Sequence, residues 1–113
     1  MSADGPMDRE AVERLTPDEL PRLAEFLAGY LHEDWNLDYG SAAEAAWDYL
    51  LEADLEAAEA LAVEWGVLTA AARAVPLDEL NRLLRERFGS GWNVVSAEEI
   101  RAVSAELERA LDE

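Results

Sequence analysis

Residues 41–68 read SAAEAAWDYLLEADLEAAEALAVEWGVL, and their spacing decides the fold class. Ser41 with Glu44 three positions on forms a capping box, in which the hydroxyl takes the glutamate N–H and the carboxylate reaches back. Apolar residues then recur three and four apart at Ala43, Ala46, Trp47, Leu50 and Leu51, the period of an amphipathic helix. Asp54 is a second N-cap, and a stripe follows at Leu55, Ala58, Leu61, Ala62, Trp65 and Leu68. Gly66 weakens that helix by about 1 kcal/mol relative to alanine. Both tryptophans on these stripes, Trp47 and Trp65, are expected in the core.

The pattern continues in both directions. Thr16-Pro17-Asp18-Glu19 has capping-box spacing, but the ring of Pro21 would clash one turn into a helix begun there. Residues 16–20 therefore read as a turn, and a helix is expected from about Pro21 with Leu23, Phe26, Leu27, Tyr30 and Leu31 on its apolar side. Asp34 to Gly40 reads as a loop. Downstream, Val75-Pro76 interrupts the chain and Leu77, Leu80, Leu83, Leu84 and Phe88 mark a fourth helix, ended by Gly89-Ser90-Gly91. Ser96-Ala97-Glu98-Glu99 caps a last helix carrying Ile100, Val103, Leu107 and Leu111. Trp92 to Val95 is strand-like but too short and solitary to make a sheet. The expectation is an all-α fold, a compact bundle of about five helices with no significant sheet. Residues 17–113 form its single domain, behind a flexible or weakly helical tail over 1–16 that carries Met7, Val12 and Leu15.

Charge is distributed unevenly. The 113 residues carry 26 acids against nine bases, all arginine, for a net charge of −17. Eleven of the acids fall between Leu23 and Ala72, where there is no Lys or Arg. Such a field repels nucleic acid and hastens encounter with a basic protein. Cysteine is absent, so disulfides and thiolate chemistry are excluded. The first 15 residues have neither the basic nor the apolar region of a secretory signal, and no apolar run can span a bilayer. A cytoplasmic protein that touches no membrane is expected.

Two motifs suggest metals and neither is complete. His32-Glu33 begins a zinc-helix pattern, but position 36 is Asn and there is no second His. Asp34, Asn36 and Asp38 match the start of a calcium loop, but Gly40 comes one position late and Glu44 one early. No metal, cofactor or nucleophilic constellation is expected, and so no enzyme. His32 reads as a helix C-terminal residue interacting with the helix dipole or with a neighbouring carboxylate.

Glu44, Asp48 and Glu52 recur four apart, on a face read as opposite Trp47 and Leu51. With Asp34 and Asp38 at its edge, this face is the candidate surface for a cationic partner. Trp35 and Tyr39 sit in the acidic loop; Trp35 reads either as an anchor in that interface or as a lid on the core.

The run Leu27-x-x-Tyr30-Leu31-His32-x-Asp34-Trp35, then Tyr39-Gly40-Ser41-x-x-Glu44-Ala45 and Tyr49-Leu50, resembles the immunity proteins of bacterial contact-dependent growth inhibition systems. The resemblance extends more weakly over residues 20–111. After Trp92 the chain departs from that family's proline-containing loop and aromatic-Leu pair, with Asn93-Val94-Val95 and Ile100 instead. The resemblance implies an all-helical protein that binds the toxin domain of a delivered effector and blocks it in the cytoplasm; the chain is expected to be monomeric when free. Many such toxins are nucleases and basic where they hold phosphate, which suits an acidic inhibitor. An acidic regulatory or adaptor module with a non-toxin partner is the alternative, and a calcium-dependent switch at Asp34, Asn36 and Asp38 is a further one.

Overall fold

A computed structural model describes residues 8–32 and 34–112. Residues 1–7 of the expected tail, Glu33 of the acidic stretch and Glu113 lie outside them. The described residues form seven helices: α1 (Arg9–Glu13), α2 (Pro21–Tyr30), α3 (Trp35–Asp38), α4 (Ala42–Glu52), α5 (Leu55–Ala74), α6 (Leu77–Phe88) and α7 (Ala97–Asp112). The five longer ones are those the periodicity predicts, and the described residues contain no strand. None of the helices is long and apolar enough to cross a membrane.

The caps work as the sequence indicates. Ser41 Oγ accepts from the Glu44 N–H at 3.2 Å, and Asp54 Oδ1 from the Ala57 N–H at 2.8 Å. Gly89 takes the left-handed conformation (φ 66°) that ends α6. At α2, the N-cap Leu20 has no capping side chain, and a carboxylate from another helix serves instead: the Leu23 N–H donates to Glu64 Oε1 of α5 at 2.7 Å. Ahead of the bundle, α1 puts Val12 into the core, and Arg87 of α6 donates to the Glu13 and Leu15 carbonyls.

The long helix α5 runs through the middle, burying Ala57, Ala58, Leu61, Trp65, Leu68 and Ala71. Leu55, expected on that stripe, is exposed at the helix start. In α4 the correction is larger. Its buried face is Ala42, Ala45, Ala46 and Tyr49, whereas Trp47 is 55% and Leu51 63% exposed. Ala43 and Leu50 are only half-buried. Small side chains let α4 lie close against its neighbours, because helix spacing depends on the residues at the contact. Tyr49 then fills the aromatic cluster with Phe26 (ring centroids 5.6 Å) and Tyr30 (5.4 Å).

The strand-like run after α6 finds a side chain in place of a partner strand. The Asn81 amide donates to the Val94 carbonyl at 2.9 Å, and the Val94 N–H donates to Asn81 Oδ1 at 2.8 Å, both buried. Further along, Glu99 accepts from the N–H groups of Val95 (2.7 Å) and Ser96 (3.2 Å) and from the Trp92 indole (3.2 Å). At the other end, Gly91 N–H and Ser90 Oγ both donate to the Leu31 carbonyl, at 2.7 and 3.2 Å. Asn81→Leu keeps the branched shape, with somewhat more bulk, but leaves two buried backbone groups unpaired, at about 1–3 kcal/mol each. A loss of about 2–4 kcal/mol in urea unfolding is expected, with loss of Val94 amide protection in hydrogen exchange. Unchanged protection at Val94 would show that the pair does not hold this segment.

Candidate functional site

The exposed side of α4 faces a groove shared with α7. A cavity of about 410 Å³ is lined by Tyr39, Glu44, Trp47, Asp48, Glu106 and Arg109, together with Ala43. A second, of about 260 Å³, is lined by Trp47, Leu50, Leu51, Glu106, Arg109 and Ala110. Since both share Trp47, Glu106 and Arg109, they are two stretches of one groove with the indole between them. Glu106 and Arg109 pair at 3.0 Å. The remaining carboxylates, Glu44 and Asp48, leave the groove negative. A half-exposed indole beside Leu51, with carboxylates along the wall, can seat an apolar side chain set in a basic surface.

Asp48 is fixed by the loop before α4. The Tyr39 hydroxyl donates to Asp48 Oδ2 at 2.6 Å, and the Tyr39 ring stacks on Tyr30 with centroids 6.5 Å apart. The hydrogen bond to Asp48, then burial and the Asp48 charge, push the Tyr39 phenol up to about 12. A free phenol titrates near about 10, so the fold favours the neutral form; that contribution is whole below about pH 10 and is lost as pH rises through the folded value. Urea-measured stability is expected to decline from about pH 10 to 12, and Tyr39→Phe to decline less steeply there. Equal slopes for the two proteins would disconnect Tyr39 from the effect.

The seven sequence candidates divide among three places. Tyr39, Glu44 and Asp48 line the groove with Trp47. Glu52 lies in a different groove, beside Tyr30, whose hydroxyl donates to Glu52 Oε2 at 3.5 Å. Asp34, Trp35 and Asp38 line neither. Trp35 is half-buried and packs on the core, while Asp34 and Asp38 are exposed around α3. There His32 ties the loop: Nδ1 accepts from the Asp34 N–H at 3.1 Å, and Nε2 lies 3.9 Å from Asp38 Oδ2. Glu44 and Asp48 share a groove wall with Trp47, so the acidic stripe does not lie opposite that residue as expected. Trp47, Leu51, Glu106 and Arg109 are the groove residues that sequence reasoning missed. The signal for Trp47 was the Ala42, Ala45, Ala46, Tyr49 stripe, which is as regular as the bulkier one but less hydrophobic. No protein-family model, curated protein or solved structure matches this chain.

Proposed function

We propose that this chain is an immunity protein that binds a cationic toxin domain, such as a nuclease, in the cytoplasm and neutralises it by stoichiometric association, with no chemistry of its own. The observation that carries the reading is Trp47, 55% exposed beside Leu51 in a groove bordered by Glu44 and Asp48. Long-range attraction by the acidic surface speeds encounter, and the indole, desolvated against the partner, slows release. The residues that carry the family resemblance support this reading as scaffold: Leu27 and Leu31 are buried, Tyr30, Tyr39 and Tyr49 stack or cross, and Ser41 caps α4. The Trp47 groove lies largely outside that motif, so a common scaffold can serve different toxins.

Co-expression with the toxin domain encoded by the adjacent gene tests the proposal. A one-to-one complex and loss of toxin activity at equimolar ratio are expected. Toxin activity that persists in excess of this chain would overturn it.

A further inference from the structure

A second groove opens where α2, the end of α4 and the start of α5 meet. It holds about 350 Å³ and is lined by Arg22, Glu25, Tyr30, Tyr49, Glu52 and Asp54, together with Ala53 and Ala57. Three carboxylates face one guanidinium there. Among the described residues Arg22 makes only an exposed contact of 3.6 Å to Glu25, a kind of pair that contributes little. Asp54 already caps α5 through one oxygen, and among the described residues Glu52 accepts only a long bond from Tyr30.

Tyr49 is the feature that the fold leaves unexplained. It is 5% exposed, and its hydroxyl has no hydrogen-bond partner within 3.5 Å among the described residues. An unpaired buried hydroxyl is costly, so the position calls for a polar group to meet it. Burial raises the Tyr49 phenol above its ordinary value, Glu25 raises it further, and Arg22 opposes this; all three residues line the same groove. The Tyr30 and Tyr49 rings cross at 78°, forming an aromatic corner beside the carboxylates.

The chemistry of this groove selects its ligand. An anion would be repelled by the carboxylates. Among the described residues no three His, Cys, Asp or Glu side chains stand close enough to hold a metal ion. A planar cation that only donates hydrogen bonds fits on every count: it can meet a phenol oxygen and separated carboxylates together, and its face can lie on an aromatic ring. We propose that this groove is a guanidinium subsite, taking an arginine side chain of the bound protein, which displaces Arg22 from Glu25 and donates to Tyr49 Oη, Glu25 and Glu52. It rests on the reading that the partner is a cationic protein, and supplies a second anchor apart from Trp47.

The test needs no partner protein. ¹⁵N-labelled protein is titrated with N-acetyl-arginine methylamide and, separately, with its neutral isostere N-acetyl-citrulline methylamide, and amide shifts are followed by NMR. The arginine amide is expected to move the signals of Tyr49, Ala53 and Ala57, with an affinity on the order of millimolar. Tyr49→Phe, which keeps the ring, should weaken it about threefold to tenfold. The exposed replacement Glu52→Gln should weaken it too, and Trp47→Ala should not. Equal response to citrulline amide, shifts scattered over the acidic surface, or unaltered binding by Tyr49→Phe would each overturn the subsite. Those failures leave the Trp47 reading standing if the toxin complex still forms. Conversely, loss of the toxin complex leaves the arginine-amide result unaffected.

Discussion

Trp47→Ala is expected to weaken the complex with the cationic partner by at least about 2 kcal/mol, roughly thirtyfold in Kd, and to change the free protein's stability by less than about 1 kcal/mol. The two effects separate because the indole is already 55% exposed, so truncation removes little packing from the free fold. In the complex the same ring would be desolvated at the centre of the interface, where truncation costs most. The loss should appear as faster dissociation. Glu44→Gln with Asp48→Asn should instead slow association at low salt and lose its effect as exposed charges are screened beyond about 8–10 Å. Asn at position 48 retains an acceptor for the Tyr39 hydroxyl, which keeps that variant folded. Glu98→Gln with Glu108→Gln removes the same charge elsewhere on α7, clear of the groove that Glu106 lines. Surface plasmon resonance on the four proteins decides the matter. An affinity for Trp47→Ala within about threefold of the parent would remove the indole from the interface, and equal slowing by both double variants would reduce the acidic face to bulk charge.

The helices were legible because their ends are marked by chemistry that acts locally. Ser41, Asp54 and Gly89 each do in the structure what their residue types do in isolation. The inward face of α4 was not legible. Two stripes of equal period lie on that helix, and hydropathy favours the one with Trp47 and Leu51, whereas close approach of neighbouring helices favours the alanines. That choice depends on the distance between helices, which no single segment encodes. The acidic stretch was legible as charge but only partly as function. Asp54 and Glu64 cap helices, and Asp48 and Glu52 accept from tyrosine hydroxyls, so several of these acids have N–H and O–H partners in place of arginines. The role of Asn81 was equally hidden, since its two bonds reach a segment 13 residues away.

Trp65→Ala is expected to cost about 3–5 kcal/mol, the range for removing a large aromatic from a packed core. Trp65 is 1% exposed, crosses Phe26 of α2 at 72°, stacks on Trp92 at 19°, and donates its indole N–H to the Ile100 carbonyl of α7 at 3.1 Å. One side chain thus joins α5 to α2, to the segment held by Asn81 and to α7, and the space it leaves cannot be closed from any single direction. A domain of this size has about 5–15 kcal/mol in all, so the substitution removes a third or more of the stability in most of that range. A fall in Tm of roughly 12–20 °C follows at about 4 °C per kcal/mol, readable by circular dichroism. Trp65→Phe separates packing from hydrogen bonding. It keeps a ring against Phe26 and Trp92 but loses the bond to Ile100, whose carbonyl keeps its place in the α7 ladder, so about 1–2 kcal/mol is expected. A Trp65→Ala protein that melts within about 4 °C of the parent would mean that this core is held elsewhere. With Trp47→Ala, the pair sorts two tryptophans of equal sequence periodicity by what each does: one should change the fold and spare binding per folded molecule, and the other should do the reverse.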